Sequence, residues 1–422
     1  RAELSLHTEI IELVNLYVYE NRQEALTLEP ISQTRPAFDL RCGAFTFLER
    51  IQKLMPESSV VVFVREELAE STRERFPNMD VNPDSVTDAL WLNGTVFWRQ
   101  EVIEKIRATK NTLFYCGERF VGAYLSAENG QEWLKNGTPV NGLPNLSLNS
   151  REISVDYATY LWDCVNLNAR VIGMDSPFFD IGTQKGTVDD GVHLLSSSDM
   201  VVGEGSRIKA GAILDADEGP IIVGENVTVL PGAYLQGPLV IGDNCLIKAG
   251  AKIYGNTTLG PGCKVGGEIV NSIFQSWSNK QHGGFIGDTY LGEWINLGAG
   301  TNNSNLKNNY SPVKVTVNGN VVNTGLRFVG LFMGDHSKTG INTMLNTGTS
   351  VGPASNIVGF GFPPKAIPPF SWIVNGKIGI YLFEKFIENA SIVKERRGQS
   401  FSSVEERIYR CLFDDRSGHT SS

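Results

Sequence analysis

Apolar positions along the chain follow two different rules. Over residues 1–190, short continuous apolar runs alternate with stretches of helical spacing. From residue 202, an aliphatic side chain recurs at every sixth position. The first rule predicts strands over 16–19, 59–64, 90–94, 112–116 and 169–174. The run 59–64 is apolar throughout, as a strand buried on both faces requires. Helices are expected over 44–55, 66–76, 101–109 and 156–168, and an amphipathic segment over 1–14 adds another. Alternation at this spacing predicts βαβ units and a mostly parallel sheet.

The second rule is stricter. Val202, Ile208 and Leu214 open the series, and Val223, Val229, Leu235, Ile241, Ile247, Ile253, Leu259 and Val265 hold it without a slip. The period returns at Phe285, Leu291 and Leu297, and again at Met333, Thr339, Leu345, Val351 and Ile357. Neither a helix nor an alternating strand repeats every six residues. A parallel β-helix does: three short strands make a triangular coil, the aliphatic residue points inward, and the small residue after it permits the corner. Two helix-like segments over 381–397 and 404–413 are expected to cap the last coil. Flat coil faces suit a cyclic trimer.

Composition sharpens this division. Of 44 glycines, 11 fall in residues 1–200, 30 in 201–376 and 3 beyond. That shift separates an α/β zone (1–190), a repeat zone (191–375) and a helical tail (376–422). The net charge of −9 argues against nucleic acid or an anionic membrane surface as partner, but leaves room for a small anion in a local basic pocket. No apolar run approaches the ~20 residues of a membrane helix. No charged-then-apolar leader opens the given residues, which start at Arg1. Six scattered cysteines without a CxxC pair fit a reducing cytoplasm, and five scattered histidines show no zinc spacing. The expectation is a cytoplasmic, metal-independent protein.

An open α/β sheet binds ligands at the carboxyl ends of its strands, usually with a glycine-rich turn cradling phosphate. After Tyr19 no glycine occurs until Gly43. The loop 34–43 offers Arg35 and Arg41 instead, either as bidentate phosphate ligands or as structural ion pairs with Asp39 and its neighbours. In the repeat zone, the breaks over 265–285 and 301–333 are where chemistry is expected.

The first break carries a resemblance. Ser278 to Asp288, followed by Asn296-Leu297-Gly298-Ala299-Gly300-Thr301, resembles the acetyltransferase half of the bifunctional N-acetylglucosamine-1-phosphate uridyltransferase/glucosamine-1-phosphate acetyltransferase family. That family has a Ser-Lys-x-x-His stretch before a Gly-Asp pair, then Asn-Ile-Gly-Ala-Gly-Thr. Matches fall at His282, Gly287, Asp288, Asn296, Gly298, Ala299, Gly300, Thr301 and Asn305. The chain is most similar to the poorly characterised sugar nucleotidyltransferase branch, with its Thr-Arg-Pro…Leu-Arg-x-Gly opening and a Gly-Asp-His-Ser-Lys-Thr stretch, here Gly334 to Thr339.

The resemblance implies an α/β Rossmann-like, nucleotidyltransferase-like domain, a left-handed parallel β-helix of hexapeptide repeats and a short C-terminal helical segment. It implies His282 as catalytic base, Asn296 as a substrate contact, and Ala299 and Asn305 as acetyl-CoA contacts. Lys280, His336 and Lys338 join Arg35 and Arg41 as substrate-binding candidates, with His336 alternatively capping a corner. The sequence departs from the family at several points. Lys280 lies two residues before His282 rather than three, Phe285 replaces a tyrosine, and Val270-Asn271 replace the lysine pair that grips the sugar phosphate. The N-terminal Gly-x-Gly-Thr-Arg signature is absent. The leading expectation is acyl transfer from acetyl-CoA or another acyl-CoA to a sugar phosphate or sugar nucleotide, by a homotrimer. The alternative is a sugar-1-phosphate nucleotidyltransferase, needing Mg²⁺, in which the β-helix only trimerises and regulates.

Overall fold

The computed structural model of the protein describes residues 14–136 and 138–418. The segment expected as a helix over 1–14 falls almost wholly outside the described residues.

The N-terminal part is a seven-stranded sheet. Its strands are β1 (Asn15–Tyr19), β2 (Val60–Phe63), β3 (Asp80–Val81), β4 (Ala89–Asn93), β5 (Thr112–Cys116), β6 (Arg119–Leu125) and β7 (Asn149–Glu152). They lie in the order β3-β2-β1-β4-β6-β5-β7. The half from β3 to β4 is parallel, whereas β6 runs antiparallel to both β4 and β5. The two-residue turn Gly117-Glu118 makes β5 and β6 a hairpin, with Gly117 at φ +60° as such a turn demands.

The strand expected over 169–174 is instead the second half of one helix, α1 (Leu161–Asp175). Its buried side chains Leu161, Cys164, Val165, Asn168, Val171, Ile172 and Asp175 recur at three- and four-residue spacing. A short, mainly apolar stretch such as 169–174, read alone, does not separate helix from strand.

The repeat zone forms a parallel β-helix. Val202 pairs with Val223, Val223 with Ile241 and Ile241 with Leu259, one coil apart each time. All eleven aliphatic residues from Val202 to Val265 are buried. Beyond Val265 the coils shorten and the period slips. Ile286, and not Phe285, points inward, because Ile269 pairs with Ile286. A hairpin of Ser371–Val374 with Lys377–Ile380 ends the stack. The terminal helices are α2 (Phe383–Glu395) and α3 (Ser403–Gly418). They fold back along one corner, burying Phe383, Phe386 and Tyr409 against Ala354 and Phe370.

That corner explains much of the packing. Its residues Asn226, Asn244, Gly262, Trp277, Trp294, His336, Ala354 and Phe370 stack in successive coils, all at positive φ. Asn and Gly tolerate this conformation, but Trp or His there costs of order 1–3 kcal/mol each. The rings offset that strain by stacking: Trp277 on Trp294 at 5.4 Å and Trp294 on His336 at 6.0 Å.

The N-terminal sheet docks on the coils through the loop 34–43. Corner neighbours Glu293 and Asp335 present two carboxylates to Arg35, at 2.9 and 2.5 Å, and Asp39 adds a third at 3.3 Å. Arg75 closes the cluster on Asp39 (2.6 Å) and Glu293 (3.3 Å). Burial alone would raise Glu293, yet Arg35 and Arg75 hold its carboxyl well below the ordinary range. Around this lock, the Gln275 side chain donates to the Asp39 carbonyl, and the backbone N–H of Arg41 donates to Gln275 and Tyr290. Arg35→Ala should leave these buried carboxylates under-compensated, costing about 3–5 kcal/mol. A thermal melt close to that of the wild type would show that the lock does not hold the two parts together.

Candidate functional site

The first break in the repeat starts from a lysine at a core position. Val265 pairs with Lys280, so Lys280 points into the coil where every earlier equivalent is aliphatic. It is fully buried, and its ammonium donates to the carbonyls of His282 and Gly283 (2.9 Å for the latter). Burial pulls its pKa down to about 8. The expected substrate ligand is thus committed to the backbone, and it ties down the loop that carries His282.

His282 itself is exposed. Asn279 pairs with Asn296, which sets the loop 281–284 in register with 298–301 one coil on. His282 therefore stacks beside Ala299 at the same corner. The Gly300 N–H donates to the Gly283 carbonyl at 2.9 Å, and the Phe285 N–H to the Asn302 side chain at 2.8 Å. Gly284 is required here: its φ is +118°, and a Cβ would lie 2.2 Å from the Thr301 carbonyl oxygen. Asn305 lies further along this coil and donates to Asp288 at 2.6 Å, which Asn271 holds from the other side at 2.6 Å. Burial raises Asp288 despite these two amides.

On the coil face before this corner, the outward residues form a column. Lys264 pairs with Asn279, Asn279 with Asn296, and Asn296 with Lys338. The end of α2 passes over it, leaving a cleft of about 310 Å³ lined by these four residues with Gln281, Trp277, Trp294, Val393, Arg396 and Arg397. Arg397 is anchored to the Asn279 side chain (2.9 Å) and the Gly262 carbonyl (3.2 Å). The structure so brings Asn296 and Lys338 into one groove, with Gln281 leading from it to His282.

His336 lies elsewhere. It is buried among Trp294, Phe386, Phe401 and Tyr409, and burial first, then Lys338 and Lys394, hold its pKa well below the usual value. It is a neutral corner residue beneath α2 and α3. Arg35 is the interdomain lock, and Arg41 is spent on the Ala44 carbonyl (2.6 Å) and Glu49 (3.4 Å). Neither guanidinium faces the groove.

Sequence reading missed Lys264, Arg396, Arg397 and the two tryptophans. Lys264 precedes Val265, just as Asn279 precedes Lys280 and Asn296 precedes Leu297, so the outward column was present as a signal. Nothing local shows that α2 returns over it.

The sheet offers a second cleft at its strand ends, about 400 Å³, lined by Arg22, Val64, Asn82, Asp84 and Lys135 among others. Where a phosphate cradle would start after β1, Glu20 accepts the backbone N–H groups of Ala37 and Arg65, both at 2.9 Å. The protein's own carboxylate takes those donors. Among the described residues, no group of three or more His, Cys, Asp and Glu side chains is placed to hold a metal ion. No helix of the described residues is long and apolar enough to cross a membrane.

Comparison with known proteins agrees with the resemblance read from the sequence. Residues 16–183 match the family model described as sugar nucleotidyl transferase, and residues 220–255 and 238–268 match that for bacterial transferase hexapeptide repeats. A bifunctional sugar-1-phosphate nucleotidylyltransferase/acetyltransferase of Sulfurisphaera tokodaii is 32% identical over 206 residues, covering 47% of this chain and 50% of that protein. The bifunctional protein GlmU of Methanocaldococcus jannaschii is 35% identical over 85 residues, covering 20% of this chain and 21% of that protein. The chain thus spans half the length of the first relative and about a fifth of the second. A solved UDP-N-acetylglucosamine acyltransferase of Francisella novicida overlaps 52% of this chain and 74% of its own, at 15% identity. Its TM-score of 0.25 is too low to carry an argument.

Lys280 gives a pH signature. Its folded pKa of about 8 lies below the ordinary 10.5, so between these values the unfolded chain binds more protons and stability rises with pH. Against Lys280→Met, which fills the core position without a charge, the wild type should gain relative stability from pH 8 to 10.5. Scanning calorimetry showing a constant difference in Tm across that range would refute it.

Proposed function

We propose that the protein is an acyl-CoA-dependent acyltransferase, with an acetyl group as the first donor to try, acting on a sugar phosphate or sugar nucleotide. The observation that carries this reading is the exposed His282 on a loop fixed by Lys280. The loop is in register with Ala299, and the Asn296 groove lies one residue away at Gln281. The match to hexapeptide transferases and the name of the Sulfurisphaera relative support it.

In the transfer, an acceptor amine or hydroxyl attacks the thioester carbonyl while the imidazole of His282 takes its proton. The new C–N or C–O bond forms as the C–S bond breaks, and the proton passes from the imidazolium to the departing thiolate. The thioester is already activated, so the step draws on no metal. Asn296 orients the acceptor from the groove side. Ala299 gives the coenzyme a small corner to pass, and Asn305, fixed by Asp288, lines its path.

A second reading, a sugar-1-phosphate nucleotidyltransferase, is favoured by the family match over 16–183 and by the cleft at the strand ends. The capture of the post-β1 donors by Glu20 weighs against it.

The coil surface also suits a homotrimer. Ile341, Phe360, Phe362 and Leu382 are 58–80% exposed and lie toward the end of the stack, where a neighbouring subunit would cover them. Sedimentation should give a trimer at micromolar concentration; a monomer would remove any site shared between subunits. His282→Ala should lower acyl transfer by ~10²–10⁴-fold with coenzyme binding nearly intact. Full turnover in that variant would make His282 a structural corner.

A further inference from the structure

Four cations meet in the groove beneath α2, and no carboxylate lines it. Lys264 and Lys338 come from the outward column, and Arg396 and Arg397 from the end of the helix above. None of the four takes part in an ion pair among the described residues, in a chain whose net charge is −9. Two arginines at a helix C-terminus are accounted for by the helix dipole. Two lysines reaching the same space from separate coils are not. Burial, then Arg397 and Arg396, lower Lys264; burial lowers Lys338. Lys264, Arg396 and Arg397 thus crowd like charge without a counter-ion, which an anion in the groove would relieve, and Lys338 adds a fourth cation further along the column.

We propose that this groove is a phosphate-binding site, completed by the C-terminal helix, for a phosphorylated small-molecule substrate. Lys264 and Lys338 bracket the anion as point charges along the coil face, and the Arg396 guanidinium closes it from α2. Arg397 keeps the helix in place through Asn279 and Gly262. The indoles of Trp277 and Trp294, stacked face to face in the corner column, bound the groove with their edges. This assignment supplies a grip on phosphate that Val270-Asn271 do not. It rests on the groove itself and not on acyl transfer.

The test is calorimetric titration of the full chain with inorganic pyrophosphate at low salt. The wild type should bind one pyrophosphate per chain, and binding should weaken as salt rises. The double variant Lys264→Glu/Arg396→Glu, which reverses two partly exposed charges, should weaken binding at least tenfold with an unchanged circular dichroism spectrum. Lys338→Met gives a second, charge-removing variant should the first fail to fold. Glucose 1-phosphate and coenzyme A then identify the source: the ligand whose affinity falls in the variants is the one whose phosphate sits there. No pyrophosphate binding by the wild type, or undiminished affinity in both variants, would overturn the site. His282→Ala keeps the two readings apart, since it should bind pyrophosphate as the wild type does even where turnover is lost.

Discussion

Stacking of parallel coils in register is the constraint on which the rest of this structure depends. Adjacent parallel strands lie roughly 4.8 Å apart, so a residue type placed at one position stands beside its equivalents in the coils above and below. Aliphatic residues so placed make a continuous core from Val202 to Ile373. Carboxylates so placed at Glu293 and Asp335 make a clasp for one guanidinium. Lysines and asparagines so placed make a polar column. Each functional feature of the molecule is a column in which the usual residue has been exchanged.

Lys280 shows how such an exchange is tolerated. A charged group in an aliphatic column would be costly without partners. It survives because the chain after it leaves the coil geometry and turns the carbonyls of His282 and Gly283 back toward it. The irregular loop and the buried lysine stabilise each other, and His282 is carried outward on the result. The Trp277–Trp294–His336 stack is a comparable case, in which backbone strain at positive φ is offset by ring packing against α2 and α3. Both exchanges fall within the coils that border the groove.

The same economy marks the N-terminal sheet. Its loop 34–43 lies where a nucleotide-binding sheet would hold ligand, but here it is the part that docks on the coils. Arg35 is enclosed by three carboxylates, and Glu20 holds the Ala37 and Arg65 amides. A loop so fully used in docking is poorly placed to move around a ligand. The sheet instead fixes α3 through Arg407–Glu70, and the residue before it through Ser402–Glu74, and through α3 the position of α2.

The six-residue period determined the β-helix, its inward residues and its breaks, because each coil repeats a local rule that neighbours read independently. The alternation of apolar runs likewise determined the α/β character of the first zone. The motif around His282 and Asn296 was legible because both lie within twenty residues, in adjacent coils whose register the period sets. Other features depended on how distant parts meet. Short apolar runs such as 169–174 took their conformation from the surface they pack on. Lys280 read as a ligand because a side chain's inward or outward sense follows the slip of register after Val265, which no single residue marks. Arg35 was equally suited to phosphate or carboxylate until the docking brought it to residues some three hundred positions away. The groove existed only once α2 folded back over the column, since a cation cluster is made by proximity in space, and the chain order of Lys264, Lys338 and Arg396 carries no trace of it.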